Sequence, residues 1–190
     1  MFPVDAFRST INKLVAILQQ FNIRFHLTGG LTTIYYGEPR LTQDIDVVID
    51  NHQVATALDP FIEAIELSDF IFDADSIREA VADRGMFQLL DAVESLKLDI
   101  YPRELIPGEL DRSVLEYVFE DEALPIASRA DAAISKLIWI SKGSHKSRRD
   151  FRKILYAATA EDRKSIEDFA ERLSLKNLLD EVIAERDEID

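Results

Sequence analysis

The sequence predicts an α+β fold: a mixed β-sheet flanked by helices, with a C-terminal helical segment. Three observations carry that expectation. Strand-like and helix-like runs alternate over about the first 120 residues, and the remainder reads as helix. A Gly29-Gly30 pair stands between a strand-like run and a helix-like one. Asp44 and Asp46 occupy alternate positions of a second strand-like run, so both leave one face while Ile45 and Val47 point the other way.

Taken in order, residues 4–21 place Phe7, Ile11, Leu14, Val15 and Leu18 at helical spacing. Ile23-Arg24-Phe25-His26-Leu27 is strand-like and runs into the glycines. Residues 31–36 form a short helix ended near Gly37 and Pro39, and 45–49 form the second strand. Residues 52–65 are helical, with Pro60 expected to kink or break them. Residues 76–83 are another short helix. Residues 87–91 and 96–101 read as paired strands joined near 92–94, the second stopped by Pro102. Ser128 caps a helix, with Asp131 three residues later resembling a capping box. That helix ends before Gly143-Ser144, and further helices are expected over 148–158, 159–173 and 175–185. The stretches 102–108 and 120–122 read as flexible linkers.

The chain's 190 residues allow one or two compact domains, and its 47% hydrophobic content suits a globular core. It has no cysteine, which excludes disulfides and thiolate metal sites and fits a reducing compartment. No apolar run approaches the roughly 20 residues that span a bilayer. The first residues lack the basic-then-apolar pattern of a signal peptide. The expectation is a cytoplasmic protein without a membrane partner. A net charge of −14 opposes broad non-specific binding to nucleic acid. One basic patch departs from it: Lys136, Lys142, Lys146, Arg148, Arg149, Arg152 and Lys153 are interrupted by a single acid, Asp150.

Two carboxylates on one face of a buried strand repel each other and lose hydration. A hard divalent cation bound through oxygen relieves both costs. Asp99, in Lys97-Leu98-Asp99-Ile100-Tyr101, has the same apolar flanks as Asp46. If the two strands are neighbours, three acids meet at one edge. Such a set can hold two magnesium ions about 3.5–4 Å apart, with manganese as the alternative, and suits in-line phosphoryl or nucleotidyl transfer. Asp99 is then placed to help take up the proton of the attacking hydroxyl. A Gly-Gly turn lets a phosphate approach the backbone, and a helix starting beside it adds its dipole. No Walker loop or dinucleotide loop occurs. Lys136 and Arg40 could neutralise triphosphate charge.

The combination of Gly29-Gly30, the spacer Pro39-Arg40-Leu41-Thr42, Asp44-x-Asp46 and a later strand acid resembles the nucleotidyltransferase superfamily with the DNA polymerase β-like fold. Within it the chain is most similar to small proteins related to AbiEii-type toxins. Those proteins also carry a lysine and, farther on, an Arg-Asp pair in a helical region, matched here by Lys136 and Arg149-Asp150. The resemblance implies a nucleotidyltransferase-like domain over residues 1–125 and a helical segment over 126–190 that closes the cleft. It implies metal-dependent transfer of a nucleoside monophosphate from a nucleoside triphosphate to an acceptor hydroxyl, with pyrophosphate leaving. Asp44, Asp46 and Asp99 are the catalytic and metal-holding residues it implies. Gly29, Gly30, Arg40, Thr42, Lys136 and Asp150 are the nucleotide-binding ones. The implied partners are the triphosphate, an RNA, protein or small-molecule acceptor, and a cognate antitoxin. Many members have serine after the first glycine, where this chain has Gly30; Thr28 or Thr32 could supply that hydroxyl.

Other residues have plainer readings. His26 is expected to be packed or hydrogen-bonded, and His52 and His145 lack metal-ligand spacing. Trp139 reads as helix-packing core. The basic patch reads as a solvated face or a contact for a nucleic-acid acceptor. Two alternative functions stay open: a catalytically silent nucleotide-binding or toxin–antitoxin-like interaction module, and a metal-dependent phosphohydrolase releasing inorganic phosphate.

Overall fold

Apolar alternation in the strands and one long amphipathic helix determine which face of the sheet goes inward. A computed structural model describes residues 4–38, 42 and 44–185 of the chain. Helix α1 (Val4–Gln20) buries Ile11, Leu14, Val15 and Leu18. Strand β1 (Phe25–Thr28) turns directly into α2 (Gly29–Tyr36), so the helix starts at the first glycine, two residues earlier than expected. Strand β2 (Asp44–Ile49) comes next, then α3 (Asn51–Thr56) and α4 (Leu58–Glu66). The break between these helices falls at Ala57, not at Pro60. The proline sits in the first turn of α4, where its missing N–H costs no intrahelical bond. A short β3 (Phe70–Ile71), α5 (Ala74–Asp83), β4 (Phe87–Asp91) and β5 (Lys97–Tyr101) complete the first half.

Strands β6 (Val114–Phe119) and β7 (Glu122–Ile126) form a hairpin. The stretch expected as a flexible linker at 120–122 is therefore the hairpin's turn and the start of β7. Four helices end the described chain: α6 (Arg129–Ser141), α7 (Lys146–Tyr156), α8 (Ala160–Arg172) and α9 (Lys176–Ala184). Ser128 caps α6 by accepting from the Asp131 amide at 3.1 Å. Among the described residues, no helix is long and apolar enough to cross a membrane.

The sheet is mixed and seven-stranded, in the order β3-β4-β5-β2-β1-β7-β6. The β2–β5 and β1–β7 pairs are parallel and the others antiparallel. Register sorts the side chains into two faces. Leu27, Val47, Ile100 and Phe87 are successive partners across four strands, and all four are buried. Helix α1 covers this face, since Thr10 and Lys13 both reach Asp91 at the end of β4. The opposite face carries a polar row in the same four strands, Thr28, Asp46, Asp99 and Gln88.

Asp91 ties α1 to the β4–β5 turn and so fixes the strand that carries Asp99. Its carboxylate is fully buried. It accepts from Thr10 Oγ1 at 2.8 Å, from Lys13 Nζ at 3.0 Å and from the amides of Val93 and Glu94. Burial alone would raise this carboxyl, but the hydrogen bonds outweigh it and hold it below its ordinary value. A depressed carboxyl contributes stability above its unfolded value, and that contribution is lost as pH falls through the folded one. Replacing Asp91 with alanine is expected to cost about 3 kcal/mol at pH 7, because Lys13 and two amides lose their acceptor. The deficit should shrink in urea melts as pH falls through the depressed folded value of this carboxyl, where the wild-type carboxylate is itself protonated.

Candidate active site

The polar row ends at the corner between β1 and α2. Gly29 has φ +63°, and a β-carbon there would lie 1.9 Å from Asp46 Oδ2 and 2.7 Å from Asp46 Cβ. Rotating the aspartate does not remove the second conflict, because its Cβ is fixed to the strand. The Gly30 amide donates to Asp46 Oδ2 at 3.3 Å, and Tyr101 Oη donates to Oδ1 at 3.4 Å. Asp46 and Asp99 are direct register partners, as are Asp44 and Lys97. Lys97 Nζ lies between two carboxylates, 3.4 Å from Asp44 Oδ1 and 3.2 Å from Asp99 Oδ2, while Gln88 donates to Asp99 Oδ1 at 2.9 Å. Burial pushes the Asp46 carboxyl above its ordinary value; the Gly30 amide and Lys136 oppose this, and the charges of Asp99 and Asp44 reinforce it. The Tyr101 hydroxyl is also raised, by burial and by the charges of Asp46 and Asp99.

These groups form one wall of an open cleft of about 760 Å³. Gly29, Gly30, Thr42, Asp44, Asp46 and Asp99 line it on the sheet side. Helices α6 and α7 and their connection supply the facing wall through Lys136, Trp139, Lys142, Ser144 and Lys146. Lys136 is buried and meets Asp150 Oδ2 at 3.1 Å. Asp150 is also buried and holds the lysine from α7, while its neighbour Arg149 pairs with Glu38. Thr32 and Thr33 spend their hydroxyls on the Gly29 carbonyl, which leaves Thr28 as the threonine beside Asp46. Arg40 lies outside the described residues.

Asp44, Asp46, Asp99, Gly29, Gly30, Thr42 and Lys136 thus share one cleft. Sequence reasoning did not single out Lys97, Tyr101 or Gln88. The period of two was the available signal for the first two, since both share a face with Asp99. Trp139, expected in the core, is 41% exposed and lines the cleft. The basic patch divides: Lys142 and Lys146 face the cleft, whereas Arg148 and Arg152 pair with Glu185.

The donor chemistry fits a divalent cation. Three carboxylates face one space, and burial together with the charges of Asp99 and Asp44 raises the Asp46 carboxyl above its ordinary value. Lys97 already supplies positive charge between two of them. No group of three such side chains among the described residues is drawn around a single point. The carboxylates are instead held by protein donors.

A smaller cavity of about 40 Å³ adjoins the cleft at Gly29, Asp46 and Trp139, with room for about three water molecules. Glu109 lines it. This buried side chain accepts from the Leu105 amide at 2.5 Å, and its Oε2 lies 3.8 Å from His26 Nε2. His26 is packed and bonded as expected, with Nδ1 2.8 Å from Ser113 Oγ. Burial and the charge of Arg112 lower it to about 4, and burial raises Glu109 to about 7.

The model of the nucleotidyl transferase AbiEii toxin family, described as a type IV toxin–antitoxin system, matches residues 13–188. The chain belongs to this family. It is a nucleotidyltransferase, in agreement with the resemblance carried by its motifs. The fold agrees as well. The solution structure of the antibiotic-resistance factor ANT(2'')-Ia superposes with a TM-score of 0.61 at 14% identity, covering 95% of this chain and 99% of that one. The crystal structure of ANT(2")-Ia with adenylyl-2"-tobramycin gives 0.59 at 13% identity, covering 87% and 97%. No curated protein sequence matches significantly.

Replacing Gly29 with alanine is expected to remove transferase activity. It should also lower stability by at least about 1–2 kcal/mol from the backbone conformation alone, as read by thermal unfolding. Glu109 gives a pH signature. A raised carboxyl contributes stability that is complete below its unfolded value and is lost as pH rises through about 7. Stability should therefore fall by up to roughly 3 kcal/mol from this group between acid and neutral pH, and Glu109→Gln should flatten that slope in denaturant titrations.

Proposed function

We propose that this AbiEii-family protein transfers a nucleoside monophosphate from a nucleoside triphosphate to an acceptor hydroxyl, with pyrophosphate as the leaving group. The observation that carries the reading is the adjacency of Asp46 and Asp99 across β2 and β5, beside Gly29 and opposite a wall of lysines. Asp44, Asp46 and Asp99 would hold magnesium, or manganese in its place. When bound, such ions polarise the α-phosphate and lower the pKa of the attacking hydroxyl.

The chain's own groups do the rest. The Gly29-Gly30 corner lets the phosphates come close to the backbone, and Thr42 lies on the same rim. Lys136, held by Asp150, and Lys142 and Lys146 offset the triphosphate charge from the helical wall. In this reading the helical segment closes the cleft, a role supported by the α6 and α7 residues that line its far wall. Most of the rate enhancement then comes from positioning and charge neutralisation. The family's description as a type IV toxin–antitoxin system supports a cognate antitoxin as partner; the acceptor is an RNA, a protein or a small molecule. ANT(2")-Ia, whose complex holds adenylyl-2"-tobramycin, keeps a small-molecule acceptor in view.

A second reading, a catalytically silent nucleotide-binding module, is favoured by one observation: Lys97 bridges Asp44 and Asp99, where a cation would bind. Label transfer from α-labelled triphosphates separates the two. Wild type should release pyrophosphate and label an acceptor, in a reaction abolished by EDTA. Asp46→Ala should lose on the order of 10²–10³-fold in rate. Equal, background-level signals from both proteins across all four nucleotides would leave only the silent module. Release of inorganic phosphate would point to a phosphohydrolase. Mass spectrometry of cellular RNA and protein, after expression of wild type and of the Asp44→Ala/Asp46→Ala double variant, identifies the acceptor through an increment of one nucleotide.

A further inference from the structure

Helix α6 sends its apolar residues inward, with Ala133, Ile134, Leu137 and Ile140 all buried. Trp139 breaks that pattern. Other large apolar side chains exposed among the described residues, such as Leu67, Leu115 and Tyr156, lie away from the cleft. Trp139 lines both the cleft and the small cavity beside it. It stands three residues beyond Lys136, so the two side chains are neighbours on one helical face. Two environments meet at its ring. The cleft is charged, with carboxylates on one wall and lysines on the other. The cavity is walled by Val48, Tyr101 and Leu105, with Arg103 and Glu109. A nucleoside triphosphate pairs a polyanionic tail, which the charged walls of the cleft suit, with a planar base whose apolar faces suit an exposed indole on the same wall; the small cavity, with room for about three waters, does not itself hold the base.

We infer that Trp139 is the platform on which the base of the donor nucleoside triphosphate stacks, an inference that rests on the nucleotidyl-transfer reading above. Every base has a π-face, so such a platform adds affinity for all four nucleotides without selecting among them. The ring already attracts a cation: Lys142 Nζ lies 5.0 Å from its centroid. Lys142 has a flexible four-carbon stem, so its ammonium yields that position to a base.

Trp139 is the only tryptophan in the chain, so tryptophan emission, excited at the red edge where the five tyrosines do not absorb, reports this position alone. The wild-type protein is titrated with non-hydrolysable analogues of the four nucleoside triphosphates and with inorganic tripolyphosphate, which has no base. Binding is followed by calorimetry and by tryptophan emission. The nucleotide analogues should quench emission saturably, with the calorimetric affinity, whereas tripolyphosphate should bind without that quench. Trp139→Ala should weaken nucleotide binding by on the order of 10-fold while leaving tripolyphosphate affinity unchanged. Trp139→Phe, which keeps a ring and the fold, should recover most of the loss. Equal nucleotide affinity in wild type and a folded Trp139→Ala overturns the inference. So does a quench by tripolyphosphate equal to that by nucleotides, a test that needs no variant. If no nucleotide binds the wild type, the nucleotidyl-transfer reading falls and the inference falls with it.

Discussion

A β-carbon on residue 29 and the carboxylate of Asp46 would need the same space. The bare α-carbon of Gly29 lets the β1–α2 corner close onto β2 and puts the Gly30 amide within reach of the aspartate. From this contact the rest of the site is set by register. Thr28 is placed opposite Asp46, Asp46 opposite Asp99, and Asp99 opposite Gln88. A one-residue slip in any of these pairings would send an acid to the apolar face that α1 covers. The hydrophobic core therefore specifies the polar row as firmly as it specifies itself.

The charge distribution gives this acidic chain a local asymmetry. The sheet side of the cleft is rich in carboxylates and the helical side in lysines, with Lys136 anchored by Asp150 across the α6–α7 packing. Other basic residues of the same patch are held by ion pairs away from the cleft, Arg149 and Lys153 with Glu38, and Arg148 and Arg152 with Glu185. What the sequence presents as one basic cluster is thus divided in space. Part of it faces the site and part of it fastens α7 to its surroundings.

The glycine pair and the two alternating aspartates were legible because each is a local pattern with a physical reason. Asp99 was legible through its apolar flanks, although its pairing with Asp46 depends on a parallel contact that no local pattern specifies. The β6–β7 hairpin was not read. Its acidic turn at Asp121 looks like a linker, and Pro125 argues against a strand, yet β7 is held between β1 and β6. Trp139 was misread because helical periodicity places it among apolar neighbours, and only the tertiary arrangement leaves it facing the cleft. The break at Ala57 shows the same limit: Pro60 marks an interruption in the helical pattern, but the natural place of a proline is just inside a helix start.

Lys97 carries a consequence for how the folded state is maintained. Tethered between Asp44 and Asp99, its ammonium acts as a built-in counter-ion that offsets the repulsion between the two carboxylates. Any free cation must win a competition against a charge that the chain keeps at very high local concentration.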